Sequence, residues 1–191
     1  MSHRLAVVLV TCLALGVTGC GGGDSSRSVR PPATSPSSST SGPPGTPTPA
    51  ATGRKVDLAA FTARAPKGFR YDSSLAKEFV SASSPDYETF EVDYSDLTIF
   101  PGADTDYMAK LTARNGDWKP RPTIADPVRF AGARWYHLTG PIGQGRHLEE
   151  YGTVVQGATA PRLVKVSFEM KSTHARRVKL VSSVLASVRL K

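Results

Sequence analysis

The residues of this chain whose types and spacing suit chemistry fall into three groups: Val17-Thr18-Gly19-Cys20, Ser74-Leu75-Ala76-Lys77, and the histidines His137, His147 and His174. The first is the most specific. It follows a basic start at Arg4 and an unbroken apolar run from Leu5 to Leu15, with small residues at Gly16, Thr18 and Gly19. That order matches a bacterial lipobox, in which a peptidase cuts just before a cysteine whose sulfur carries diacylglycerol. The apolar run has the length of a signal-peptide core and is short for a membrane span. An ordinary secretory leader is the alternative, but the cysteine stands at the one position the lipobox requires. Each buried methylene contributes about 0.8 kcal/mol, so one acyl chain holds a protein loosely and two hold it firmly. The expected placement is therefore the extracytoplasmic face of the cell membrane, lipid-anchored through Cys20.

The other two groups are weaker. Ser74-Leu75-Ala76-Lys77 fits the Ser-x-x-Lys motif in which lysine helps deprotonate the serine. The Lys-Thr-Gly element that accompanies it in penicillin-recognising enzymes is missing, and the domain is far too small for that fold. His137, His147 and His174 show neither His-x-His nor His-x-x-x-His spacing. On a strand, His147 and Glu149 share a face, a two-ligand start for zinc that lacks its third and fourth ligands. Gly143-Gln144-Gly145 reads as a turn, because Leu148 stands where a dinucleotide fingerprint needs glycine. Trp118, Trp135, Tyr136 and Tyr151 suit either a core or a pocket between sheet and helix. No catalytic residue, metal ligand or cofactor site is assigned.

Cysteine usage agrees with an exported protein. The two cysteines are Cys12, inside the leader, and Cys20, consumed by lipid, so the folded part has no thiol for a disulfide, a metal or a nucleophile. Three segments are expected: a signal peptide at 1–19, a lipidated cysteine and tether at 20–53, and one domain at 54–191. The tether is almost entirely Gly, Ser, Thr, Pro and Ala, with seven of the fifteen prolines and no aromatic residue. Such a composition cannot bury enough apolar surface to offset its ordering entropy, so disorder is expected there. Its reach lies between about 30 Å as a coil and about 100 Å as polyproline.

The chain's formal charge is +8, of which the domain carries +6 from 21 basic and 15 acidic residues. Residues 72–106 hold nine acids and one lysine, while 107–191 hold fifteen bases and five acids. Two outcomes are open: a dipolar surface offered to charged partners, or two blocks that neutralise each other across the fold, which we favour. Asp86, Glu88, Glu91, Asp93 and Asp96 lack the calcium-loop spacing. The compartment excludes nucleic acid.

The pattern of elements predicts an α+β domain. Phe61–Ala65 reads as a strand closed by Pro66, with Lys67-Gly68-Phe69 turning out of it, and Leu97–Phe100 reads as another, stopped by Pro101-Gly102. Asp104 or Thr105 caps a helix to Arg114, with Tyr107, Met108 and Leu111 on one side and Asn115-Gly116 as a left-handed end. Four antiparallel strands follow at 128–130, 133–139, 148–155 and 162–170. In the last, Val164, Val166, Phe168 and Met170 share the core face. A helix at 173–185 carries Val178, Val181 and Leu185 as its apolar stripe, and 187–190 adds an edge strand. Because Trp135 and Tyr136 are adjacent on a strand, both sheet faces are expected to be covered.

Phe61, Pro66-Lys67-Gly68-Phe69, Asp126-Pro127-Val128-Arg129-Phe130-Ala131-Gly132, Tyr136-His137-Leu138 and the closing Ala186-Ser187-Val188 together resemble the PsbP-like fold. With its lipobox and Pro/Ser/Thr tether, the chain is similar to the LpqN-type lipoproteins of actinobacteria. The resemblance covers residues 54–191 and departs from the family in the acidic stretch 84–96, read here as an insertion. It implies an antiparallel meander with packed helices and no catalytic constellation. The expected function is a non-enzymatic, monomeric module that binds an envelope protein or wall polymer. The alternative is a carrier or sensor of a small apolar or anionic ligand.

Overall fold

The computed structural model describes residues 48–75 and 78–191, within a compact unit spanning Gly45–Lys191. The leader, Cys12, Cys20 and most of the tether lie outside the described residues, as does Lys77. Chain order is β1 (Lys55–Asp57), β2 (Phe61–Arg64), β3 (Arg70–Leu75), β4 (Phe79–Ser83), β5 (Thr89–Asp96), α1 (Thr105–Asn115), β6 (Thr123–Phe130), β7 (Ala133–Gly143), β8 (Arg146–Gln156), β9 (Pro161–Met170), α2 (His174–Leu185) and β10 (Arg189–Leu190). The fold is α+β. A seven-stranded sheet runs β3-β4-β5-β9-β8-β7-β6 and a small one runs β1-β2-β10, with antiparallel neighbours throughout. Among the described residues no helix is long and apolar enough to cross a membrane.

Local chemistry explains the hairpins. Phe130 pairs with Ala133 across Ala131-Gly132, and Gly143 pairs with Arg146 across Gln144-Gly145. Both central residues of each turn have positive φ (48° and 78°; 52° and 68°). That backbone twist matches the right-handed twist of paired strands, and glycine takes the second position without strain. On β9 the alternation is complete, with Val164, Val166, Phe168 and Met170 all fully buried.

The core has two parts, one on each face of the large sheet. Trp135, Phe90, Phe168, Val166 and Met170 pack with Val181 and Val184 of α2 and with Phe61 and Ala63 of the small sheet. Tyr136, Leu138, Leu148 and Leu163 pack with Met108 and Ala109 of α1. The adjacent aromatics do face opposite ways, and both are buried. Gly152, opposite Tyr136, is what lets that ring lie across β8: a Cβ there would sit 2.2 Å from the ring carbon Cζ.

Four sequence expectations are corrected. The acidic stretch 84–96 is no appendage to the sheet: its residues 89–96 form β5, an interior strand between β4 and β9. Its Phe90 and Val92 face the apolar core while Glu91 and Asp93 alternate with them, so acids at every second position hid it. Leu97–Phe100 is a turn closed by the Phe100 amide on the Leu97 carbonyl at 2.8 Å. Gly116 ends α1 in an extended conformation (φ −66°, ψ 146°), and its glycine is required because a Cβ would strike the Trp118 ring at 2.2 Å. On α2 the buried residues are Val181 and Val184, and Val178 is 50% exposed. Packing also begins ahead of Arg54, since buried Ala51 donates its amide to Ser183 of α2 at 2.7 Å.

Candidate functional site

The three histidines that sequence spacing left apart line one cleft. It encloses about 410 Å³ between α2 and the outer half of the sheet. The strands supply His137 and Thr139 from β7 with His147, Glu149 and Tyr151 from β8, all residues of one face by the two-residue alternation. The helix supplies His174, Arg177, Val178, Val181 and Ser182, spaced as one helical face. Only the far part of that face reaches the core, so α2 leaves the sheet uncovered at its N-terminal end. The exposed Val178 stands at this opening.

Glu149 organises the cleft floor. His137 Nε2 lies 2.6 Å from Glu149 Oε2, and His147 Nε2 lies 3.3 Å from Glu149 Oε1 and 3.0 Å from the Thr139 hydroxyl. The His137 ring stacks on Tyr151 with centroids 4.4 Å apart and planes 11° from parallel. Burial alone would raise the Glu149 carboxyl; the hydrogen bond and charge of His137, helped by Thr139 and His147, override it and hold the group below its ordinary value. His147 is held below the usual imidazole range, first by burial and then by the Arg177 charge. Arg177 donates Nη1 to the Ser172 carbonyl at 2.8 Å, and its buried Nε has no partner among the described residues.

In a hydrolase triad the orienting carboxylate and the nucleophile sit on opposite ring nitrogens of the histidine. At His147 the carboxylate and the Thr139 hydroxyl both sit on Nε2. Among the described residues no three His, Cys, Asp or Glu side chains are placed to hold a metal. Ser74 pairs with Val80 in β3, while its motif partner Lys77 lies outside the described residues. Of the four aromatics weighed as pocket walls, Tyr151 alone lines this cleft; Trp135 and Tyr136 are core, and Trp118 packs on the α1 side.

The charge blocks meet across the fold. Asp93 and Asp96 on β5 stand opposite Lys165 and Arg162 on β9, in ion pairs of 2.9 and 2.7 Å. Arg134 holds Asp106 at 2.8 Å, and Arg176 of α2 holds the buried Glu88 at 3.0 Å and Asp86 at 3.5 Å. Five of the nine acids in 72–106 are thus paired with four of the fifteen bases in 107–191.

The cleft was not legible as a site, although its parts were. Strand alternation puts His147 with Glu149, but the apolar stripe of Val178, Val181 and Leu185 hides the helical spacing 174, 177, 178, 181, 182. Only folding brings His137 within reach of Glu149 twelve residues on.

No protein-family model matches the chain, and no curated protein matches it in sequence. Among solved structures, a Bacteroides thetaiotaomicron protein aligns at 13% identity and a TM-score of 0.44, over 73% of this chain. This chain spans about half of that protein, covering 48% of it. LpqN of Mycobacterium tuberculosis, described as involved in cell envelope biogenesis, aligns at 10% identity and a TM-score of 0.47, covering 69% of this chain and 83% of its own. Both are distant likenesses of fold.

Proposed function

We propose that this chain is a surface lipoprotein of the LpqN type, cut ahead of Cys20 and held on the extracytoplasmic face of the membrane by diacylglycerol on that sulfur. Its α+β module is non-enzymatic and binds a protein or envelope component. The observation that carries this is a cysteine at the lipobox position, followed by a Pro/Ser/Thr tether and one compact core. The shared ring nitrogen at His147 supports the non-enzymatic part. Ion pairing inside the fold takes up Asp86, Glu88, Asp93, Asp96 and Asp106, and the domain's net +6 then favours an anionic wall polymer or an acidic protein face as the partner. Mass analysis of protein from the membrane fraction tests the anchor: the chain should begin at Cys20 with added lipid mass, and Cys20→Ala should leave the fraction. Recovery of residues 1–19 with an unmodified sulfur would overturn it. Crosslinking in cells tests the partner, with one dominant neighbour expected.

The cleft favours a second reading, a carrier or sensor of a small ligand. Its volume of about 410 Å³ and its few convergent polar groups on apolar walls suit such a role. Native mass spectrometry of the purified protein should then show a copurifying mass.

A further inference from the structure

The cleft's donors and acceptors are unevenly satisfied, and the imbalance names a ligand class. Glu149, the acid in the lining, already has His137 on one oxygen and His147 on the other. It has little left to offer a cationic ligand. Arg177 is in the opposite condition. Its neighbour Arg176 is consumed by Glu88 and Asp86, but Arg177 pairs with no carboxylate among the described residues; Nη1 is tied to a backbone carbonyl and Nε is buried without a partner. With Nη1 tied to Ser172 and Nε buried, Nη2 is the guanidinium nitrogen left for a ligand in the cleft, and it can give a carboxylate one charge-assisted bond. His174 and His147 line the same cleft and add donors beside it. Of the other lining residues, Val178, Val181 and the Tyr151 ring can bury a compact apolar body, and Thr139 and Ser182 add uncharged hydroxyls.

Resting on the small-ligand reading above, we infer that the cleft between α2 and strands β7 and β8 binds a small monoanionic carboxylate, its head on Arg177 and its apolar body against Val178, Val181 and Tyr151. Glu149 acts here as a positioning residue that holds His137 and His147 in place. A bare inorganic anion would fill the donors and leave the walls wet, so the apolar body is part of what is recognised.

The protein offers its own reporters, because His137, His147 and His174 are its only histidines beyond His3 and all three line the cleft. We would label histidine Cε1 with carbon-13 in the full chain on phosphatidylcholine nanodiscs and titrate at pH 7 with benzoate, benzyl alcohol, benzylamine and inorganic phosphate. Benzoate should move all three signals saturably and bind at least about tenfold tighter than benzyl alcohol, the value of one lost charge-assisted contact. Arg177→Gln should remove that preference while benzyl alcohol binding stays the same. Val178→Trp, at an exposed position that tolerates bulk, should block benzoate even if the arginine variant does not fold. Equal or tighter binding of the alcohol, the amine or phosphate would overturn the carboxylate assignment and leave a ligand cleft standing. Silence from all four probes would remove both the assignment and the reading beneath it.

Discussion

Glu149 and Glu150 are neighbours on β8 and point to opposite faces of the large sheet, where their surroundings push them in opposite directions. Glu149 faces α2 with two histidines around it, and its carboxyl lies below the ordinary value. Glu150 faces the α1 side, 2% exposed, and accepts from the Tyr136 hydroxyl at 2.9 Å. Burial raises its carboxyl, and the nearby Lys165 charge and the Tyr136 bond only partly offset that. The difference teaches what each face is built to do. The α2 face combines the larger apolar core with one open cleft whose acid is fully engaged. The α1 face has a smaller core and buries its charges, with Lys165 raised by Asp93 and Glu150 against the opposing effect of burial.

If the α2 face carries most of the stability, Phe168→Ala is the severest test. Phe168 is fully buried against Phe90, with ring centroids 5.5 Å apart, and its loss should cost about 3–5 kcal/mol in urea unfolding. A loss under about 1 kcal/mol would end the claim that this core dominates. On the α1 face the sharper probe is Gly152→Ala. The added methyl meets the Tyr136 ring at 2.2 Å, so a cost of about 1–3 kcal/mol is expected, and Tyr136→Leu in the same chain should recover part of it.

The two glutamates should then separate by pH. The folded Glu149 carboxyl is depressed below its ordinary 4.5, so its contribution is present above that value and is lost as pH falls through the folded value. His137→Ala removes the hydrogen bond at 2.6 Å, costing about 1.5–3 kcal/mol near pH 7, and should flatten the acid limb of the stability curve. An unchanged acid limb would show that the pair is not coupled. Glu150 has the opposite sign: its folded carboxyl is raised, so its contribution is present below 4.5 and is lost as pH climbs through the folded value. Glu150→Gln keeps an acceptor for Tyr136 without a buried charge. It should therefore gain stability at pH 7, by less than about 1 kcal/mol because Lys165 loses one acidic neighbour, and leave it nearly unchanged at pH 3.

How much of this was legible varies by element. The β6–β9 meander was readable because its first two turns carry glycine where positive φ is needed and Val164, Val166, Phe168 and Met170 alternate along β9. Strands β1, β3, β4 and β5 were not legible. Phe90, Val92 and Tyr94 alternate with Glu91, Asp93 and Ser95, and composition drew attention to the acids when the period was the signal. Those acids are tolerable on an interior strand because β9 sets Lys165 and Arg162 opposite Asp93 and Asp96. Those pairs join residues 72 and 66 positions apart and have no local trace. Val178 reads as core for a related reason: helical periodicity shows that a face exists but not how far along it the sheet extends.

The chain's own order of residues determined the apolar run ahead of Cys20, the Pro/Ser/Thr-rich composition that follows it, the antiparallel meander and the split of Trp135 from Tyr136, since each depends on neighbours within a few positions. Tertiary structure alone decided which carboxylate is engaged and which is merely buried, and that His137, His147, His174 and Arg177 meet. Those outcomes depend on distances across strands and between helix and sheet, where a residue's charge and hydrogen bonds are set by partners its own segment does not contain.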